Sequence, residues 1–116
     1  MVDMTEPRDT GPLDTGPLDT GLLDDDAVRQ ALGELPGWER DGDALVYSAS
    51  LPDFPTAITV VDEVAVLAEN ADHHPDIDIR WRTLTFRCST HSAGGVTGKD
   101  VRLAAAISGV VQMAQT

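Results

Sequence analysis

The chain has 116 residues, enough for one domain and no separate cofactor module. Its net charge of -12 divides into eight acids against Arg8 alone over the first 26 residues and twelve acids against seven bases beyond them. An acidic tail on an acidic body repels nucleic-acid phosphates and anionic lipid, so no direct nucleic-acid or membrane partner is expected and a neutral or weakly charged small molecule fits better. No run reaches the roughly 18 apolar residues that span a bilayer, and the basic and apolar regions of a signal peptide are missing. Cys88 is the sole cysteine, which rules out an internal disulfide and reads as a buried small hydrophobe. A cytoplasmic protein is expected.

In chain order, residues 9–23 read DTGPL, DTGPL, DTGLL. Turn formers and acids at this density cannot bury a core, so residues 1–23 are expected to form a disordered tail, with partner binding as the other reading. The folded domain is expected over 24–116. Asp24, Asp25 and Asp26 supply an N-cap and first-turn acids for a helix carrying Val28, Leu32 and Leu35 on one side, stopped by Pro36 and Gly37. Residues 38–41 and 43–51 flank Asp41-Gly42 as a β-hairpin. Over 55–71, Ile58, Val61, Val64 or Ala65, Ala68 and Ala71 recur at helical spacing behind Pro55. Ile77, Ile79 and Trp81, then Leu84, Phe86 and Cys88, alternate with polar residues and predict two half-buried antiparallel strands. Thr97 and Asp100 form a capping box opening a last helix with Leu103, Ile107, Val110, Val111 and Ala114 along its stripe. The fold class is α+β in the order α-ββ-α-ββ-α, a four-stranded antiparallel sheet with helices on one face.

All three histidines, His73, His74 and His91, fall within 19 residues at the ends of predicted elements, where side chains converge without entering the core. Imidazoles titrate near pH 6.5, so one ring can give a proton while another takes one. Histidines without a role, or a metal site, are the competing readings. Adjacent helix residues point about 100° apart, unlike the spacing of four in zinc-protease helices, and no metal is expected. Glu69 and Asp72 can each orient an imidazole or be solvated helix-end acids. Asp100 is accounted for by its capping box alone. Gly94 and Gly95 suggest a flexible or tightly turned loop, and no phosphate-binding glycine motif is present.

The run Glu69-Asn70-Ala71-Asp72-His73-His74-Pro75, with Trp81 after five further residues, His91 after nine and Asp100 after eight, resembles the pterin-4a-carbinolamine dehydratase family. Leu35-Pro36-Gly37-Trp38, Asp53-Phe54, Ser89-Thr90-His91 and Ala93-Gly94-Gly95 are similar as well, so the resemblance covers roughly 24–114. It implies an enzyme that dehydrates 4a-hydroxytetrahydropterin to the quinonoid dihydropterin during tetrahydrobiopterin recycling, with no cofactor. It also implies dimers or tetramers in which strands of two subunits form one larger sheet, and a functional link to an aromatic amino acid hydroxylase. Residue by residue, it gives His73 and His91 acid-base roles and His74 substrate binding. Glu69, Asp72, Ser89, Thr90 and Asp100 fall in or around the pterin pocket. Ile77 stands where relatives often have an aromatic residue; Trp38 is either a substitute for it or a core residue. The competing class is a non-enzymatic binding or assembly protein, since fold alone does not decide function.

Overall fold

The computed structural model describes residues 21–115. Residues 1–20, which hold most of the repeat segment and of the tail predicted over 1–23, lie outside the described residues.

Asp24 caps helix α1 (Asp25–Gly33) by accepting from the Ala27 amide at 2.8 Å. Just before it, the Leu23 amide donates to the Val96 carbonyl at 2.9 Å and its side chain packs on the core. The turn after α1 brings in Gly37 at φ 88, where the Tyr47 ring would lie 2.8 Å from an added Cβ, so only glycine fits. Strands β1 (Glu39–Asp41) and β2 (Ala44–Ser50) form the predicted hairpin, but Asp41 pairs with Ala44 and the loop is Gly42-Asp43. Asp53 caps helix α2 (Phe54–Ala71), accepting from the Thr56 amide at 2.9 Å. Strands β3 (Asp76–Arg80) and β4 (Thr83–Cys88) make the second hairpin. A short 3-10 turn (His91–Ala93) then leads to helix α3 (Gly98–Gln115).

The sheet is antiparallel throughout, in the order β1-β2-β4-β3. Register puts Leu45 opposite Cys88, Tyr47 opposite Phe86 opposite Ile77, and Ala49 opposite Leu84 opposite Ile79. That face meets Val60 and Val64 of α2, Leu103, Ile107 and Val111 of α3, and Val28 of α1 in one hydrophobic cluster. The other face carries hydroxyl pairs, Ser48 with Thr85 at 2.8 Å and Ser50 with Thr83 at 3.2 Å. One apolar and one polar face explain why helices cover a single side, the α+β architecture expected from the alternation. Cys88 is fully buried.

One open reading is decided and one expectation is corrected. Trp38 is a core residue: it is buried, stacks on Tyr47 with ring centroids 5.1 Å apart, and donates from Nε1 to Ser108 Oγ at 2.7 Å. It is therefore no substitute for a missing aromatic wall. Trp81 does not continue the β3 alternation. The strand ends at Arg80, which pairs with Thr83, so Trp81 and Arg82 are the two loop residues, and Trp81 is 71% exposed at φ 55. Two-residue hairpins need a positive φ, and no glycine announced the turn here. β3 is also the outer strand, leaving Ile79 42% exposed rather than half-buried.

Candidate active site

The end of α2 sets the site. Asp72 adopts the left-handed conformation (φ 50, ψ 43), and its amide bonds back to the Ala68 and Glu69 carbonyls. The His73 amide also returns to the Ala68 carbonyl, at 3.1 Å. This is the helix-ending pattern usually served by glycine, with an acid in its place. Because the chain reverses there, the two adjacent histidines diverge. His73 turns to Asp100 on α3, with Nε2 2.6 Å from Oδ1. His74 turns back to Glu69, Nε2 to Oε2 2.5 Å, and Pro75 prevents any further helix.

The two pairs differ in weight. Glu69 and His74 are both more than half exposed, so water and salt weaken their attraction. Asp100 is fully buried and the His73 side chain is 11% exposed. A buried carboxylate persists only with its lone pairs occupied, and Asp100 fills them from three elements. Oδ1 takes His73; Oδ2 accepts from Thr90 Oγ1 at 2.8 Å and from the Thr97 amide at 2.9 Å. The Thr97 hydroxyl accepts from the Lys99 amide at 3.2 Å and lies 2.8 Å from Thr90 Oγ1. Since the Thr90 hydrogen goes to the carboxylate, Thr97 must donate to Thr90, which fixes the direction of the network. With an ionised Asp100 the His73 Nε2 carries the hydrogen, and Nδ1 is the lone-pair nitrogen of the neutral ring.

A cavity of about 440 Å³ is lined by Asp72, His73, His74, Pro75, Asp76, Ser89, Thr90, His91, Ser92 and Lys99. All three histidines thus meet at one concavity, although they come from a helix end and from the turn after β4. His91 is exposed and shares that lining. It is held there by a tight loop, not a flexible one: Gly94 sits at φ 78 and Thr90 bridges Gly95. Glu69 reaches the site only through His74, and Asp100 stands behind His73 rather than in the lining. The Ser89 hydroxyl is turned to the Asp43 carbonyl at 2.8 Å. A second cavity, about 460 Å³ between α2 and α3, shares His73 and Lys99 but otherwise collects Leu67, Asn70, Ala71, Arg102, Leu103 and Ala106. It holds one of the candidate residues against six in the first, which is the better site. Lys99 was missed by sequence reasoning. The signal was its place in the first turn of α3, where the helix dipole disfavours a cation. Among the described residues no group of three or more His, Cys, Asp or Glu side chains is arranged as metal ligands would be.

Residues 21–110 match the family model described as Pterin 4 alpha carbinolamine dehydratase. A Nocardia farcinica protein provisionally named as a pterin-4-alpha-carbinolamine dehydratase is 56% identical over 80 residues, 69% of this chain and 84% of that one. A Roseiflexus castenholzii protein with the same provisional name is 53% identical over 87 residues, 75% of this chain and 94% of its own. Among solved structures, the transcriptional coactivator/pterin dehydratase from Brucella melitensis is similar with a TM-score of 0.75 and 30% identity, covering 77% of this chain and 97% of that one. A pterin dehydratase-like protein identified as a RuBisCO assembly factor in the alpha-carboxysome, at 15% identity and TM-score 0.53, covers 64% of this chain and 86% of that one and shares the fold.

Proposed function

The chain belongs to the pterin 4 alpha carbinolamine dehydratase family, and from that premise we propose that it dehydrates a 4a-hydroxytetrahydropterin through its histidines. The observation that supports this reading most is the meeting of His73, His74 and His91 at one cavity with His73 anchored on a buried carboxylate. One imidazolium gives its proton to the hydroxyl on carbon 4a, and the carbon-oxygen bond breaks to release water. The nitrogen 5 lone pair closes a double bond to carbon 4a, and a second, neutral imidazole removes the nitrogen 5 proton. Atoms balance as loss of one water, leaving the quinonoid dihydropterin. His73 and His91, both in the cavity lining, carry the two transfers, each typically worth about 10²–10⁴-fold. Asp100 fixes the His73 tautomer and ring direction, as carboxylates do for catalytic histidines. His74, with Glu69 behind it, binds substrate, while Asp72, Ser89 and Thr90 shape the pocket. The step needs no metal or cofactor.

On this reading the chain works in the cytoplasm, recycling tetrahydrobiopterin after an aromatic amino acid hydroxylase, as a homodimer or homotetramer with its acidic tail dispensable. Among the described residues no helix is long and apolar enough to cross a membrane. A non-enzymatic role on the same fold is the second reading, favoured by the Brucella relative being named a transcriptional coactivator as well as a pterin dehydratase. Stopped-flow measurement of the dehydration step separates the two. His73→Ala and His91→Ala should each lower kcat at least tenfold with the fold intact, and a chelator should leave the rate unchanged. A wild type no faster than buffer, or full activity in both variants, overturns the enzymatic reading.

A further inference from the structure

Resting on the pterin reading above, we infer that the site is completed in trans: Trp81 of one subunit stacks on the pterin held by the histidines of a second copy of this chain. β3 pairs with β4 on one side only, and its other edge offers free backbone groups for another strand. The sequence Asp76-Ile77-Asp78-Ile79-Arg80 complements itself when run antiparallel about a two-fold axis through Ile79. Asp78 then faces the partner subunit's Arg80, Asp76 faces the partner subunit's Arg82, and Ile77 faces the partner subunit's Trp81. No like charges meet, and Ile79 meets its own copy on the axis. Arg80 bonds Asp78 of its own strand at 3.1 Å, but both are more than half exposed, so exchanging that pair across the axis costs little. The pairing also covers Ile79 and Trp81, which are among the large exposed hydrophobics.

Within its own subunit Trp81 cannot serve the cavity. Five residues of strand, at about 3.3–3.4 Å each, put it roughly 17 Å beyond the cavity-lining Asp76. Antiparallel pairing reverses that separation, because the far end of one β3 lies beside the near end of the other. The partner subunit's Trp81 then stands opposite Ile77, next to Asp76. Its backbone points the same way: φ 55 on a bulky side chain is strained and persists where the ring has a use, since glycine would take this loop position freely. Beyond its histidines the cavity has no aromatic side chain among its lining residues, whereas a flat bicyclic pterin is best held by a ring stacked on its face.

The test uses the full chain and a stable oxidised pterin as probe, with affinity from calorimetry and mass from light scattering at the same concentration. Trp81→Ala should weaken pterin binding by about tenfold or more, as loss of one stacked aromatic does, while Trp81→Phe keeps most of it. Mixed oligomers of Trp81→Ala chains with His73→Ala chains carry one complete site per pair, so dehydration should recover to about half the wild-type rate although each variant alone is deficient. A wild-type affinity in Trp81→Ala, no recovery in verified mixed oligomers, or a monomeric wild type overturns the assignment and leaves the pterin reading standing. A wild type that binds no pterin overturns both.

Discussion

Asp100 holds His73 with one carboxylate oxygen, 2.6 Å from Nε2, and caps its own helix with the other, 2.9 Å from the Thr97 amide. The residue that orients the candidate catalytic ring is therefore also the residue that caps the first turn of α3. Fold and site share one buried group.

Asp100→Asn should separate these duties. The amide has nearly the same shape but a single oxygen, which can accept from His73 or from Thr90 and Thr97, not from both sides. One buried donor is left unmet, at about 1–3 kcal/mol, so the melting temperature falls by several degrees. In stopped-flow assays kcat should drop at least tenfold with a smaller change in KM, because Asp100 acts through His73 and lies outside the cavity lining. Unchanged melting and unchanged kcat would contradict the shared role.

His74→Ala should behave differently. Its pairing with Glu69 is exposed and supports no core contact, so stability should stay within about 0.5 kcal/mol of wild type. As a substrate-binding group it should raise KM with little change in kcat. Steady-state kinetics on the purified variant checks this, and a kcat loss matching that of His73→Ala would make His74 a proton-transfer group instead.

The elements were legible because their signals are local. Asp24 and Asp53 precede helices α1 and α2 as N-caps, and Leu84, Phe86 and Cys88 alternate inward at period two, fully buried. Trp81 escaped because its turn lacks the glycine that usually marks a positive φ, so an alternating pattern ran one residue past its strand. The gathering of three histidines was legible from sequence spacing, but their division of labour was not. Which carboxylate meets which ring depends on the left-handed turn at Asp72, and His73 and Asp100 lie 27 positions apart with the second hairpin and the 3-10 turn between them. Asp100 as a capping-box acid was a correct but incomplete reading, since a carboxylate has two oxygens and the box uses one.

Asp53 supports α2 in a pH-dependent way. Its hydrogen bonds from the Thr56 side chain and amide hold the carboxyl below its ordinary value of 3.8. A lowered folded value means the support is complete above the unfolded value and lost as pH falls through the folded one. Asp53→Ala should therefore melt earlier than wild type at pH 7, and the gap should narrow progressively as the pH falls below 3.8. Thermal melts across that range check it; a gap that persists at acid pH would mean the cap acts without its charge.

Cys88 gives the opposite sign. Burial under the helices, with lesser contributions from the Asp100 and Asp76 charges, pushes its thiol up from 9.0 to about 12. Well below pH 9 the thiol is protonated in folded and unfolded chains alike, and its contribution to stability does not change with pH. Between about 9 and 12 the unfolded chain ionises while the folded chain cannot, so the unfolded state gains and stability falls. Three pH units correspond to roughly 4 kcal/mol, reached near pH 12 and comparable with much of a small domain's total stability. Cys88→Ala removes the titration at the expense of a small cavity, so it should be the less stable protein at pH 7 and show a shallower loss at high pH. Urea unfolding at pH 7, 9, 10 and 11 gives both slopes directly, and parallel slopes would contradict the assignment. The same burial predicts that a thiol reagent at pH 8 labels Cys88 only as fast as the chain opens, because the thiolate is the reacting form and the folded protein neither exposes nor ionises it. Labelling at the rate of a free thiol in the native protein would place the sulfur at the surface and remove it from the core of β4.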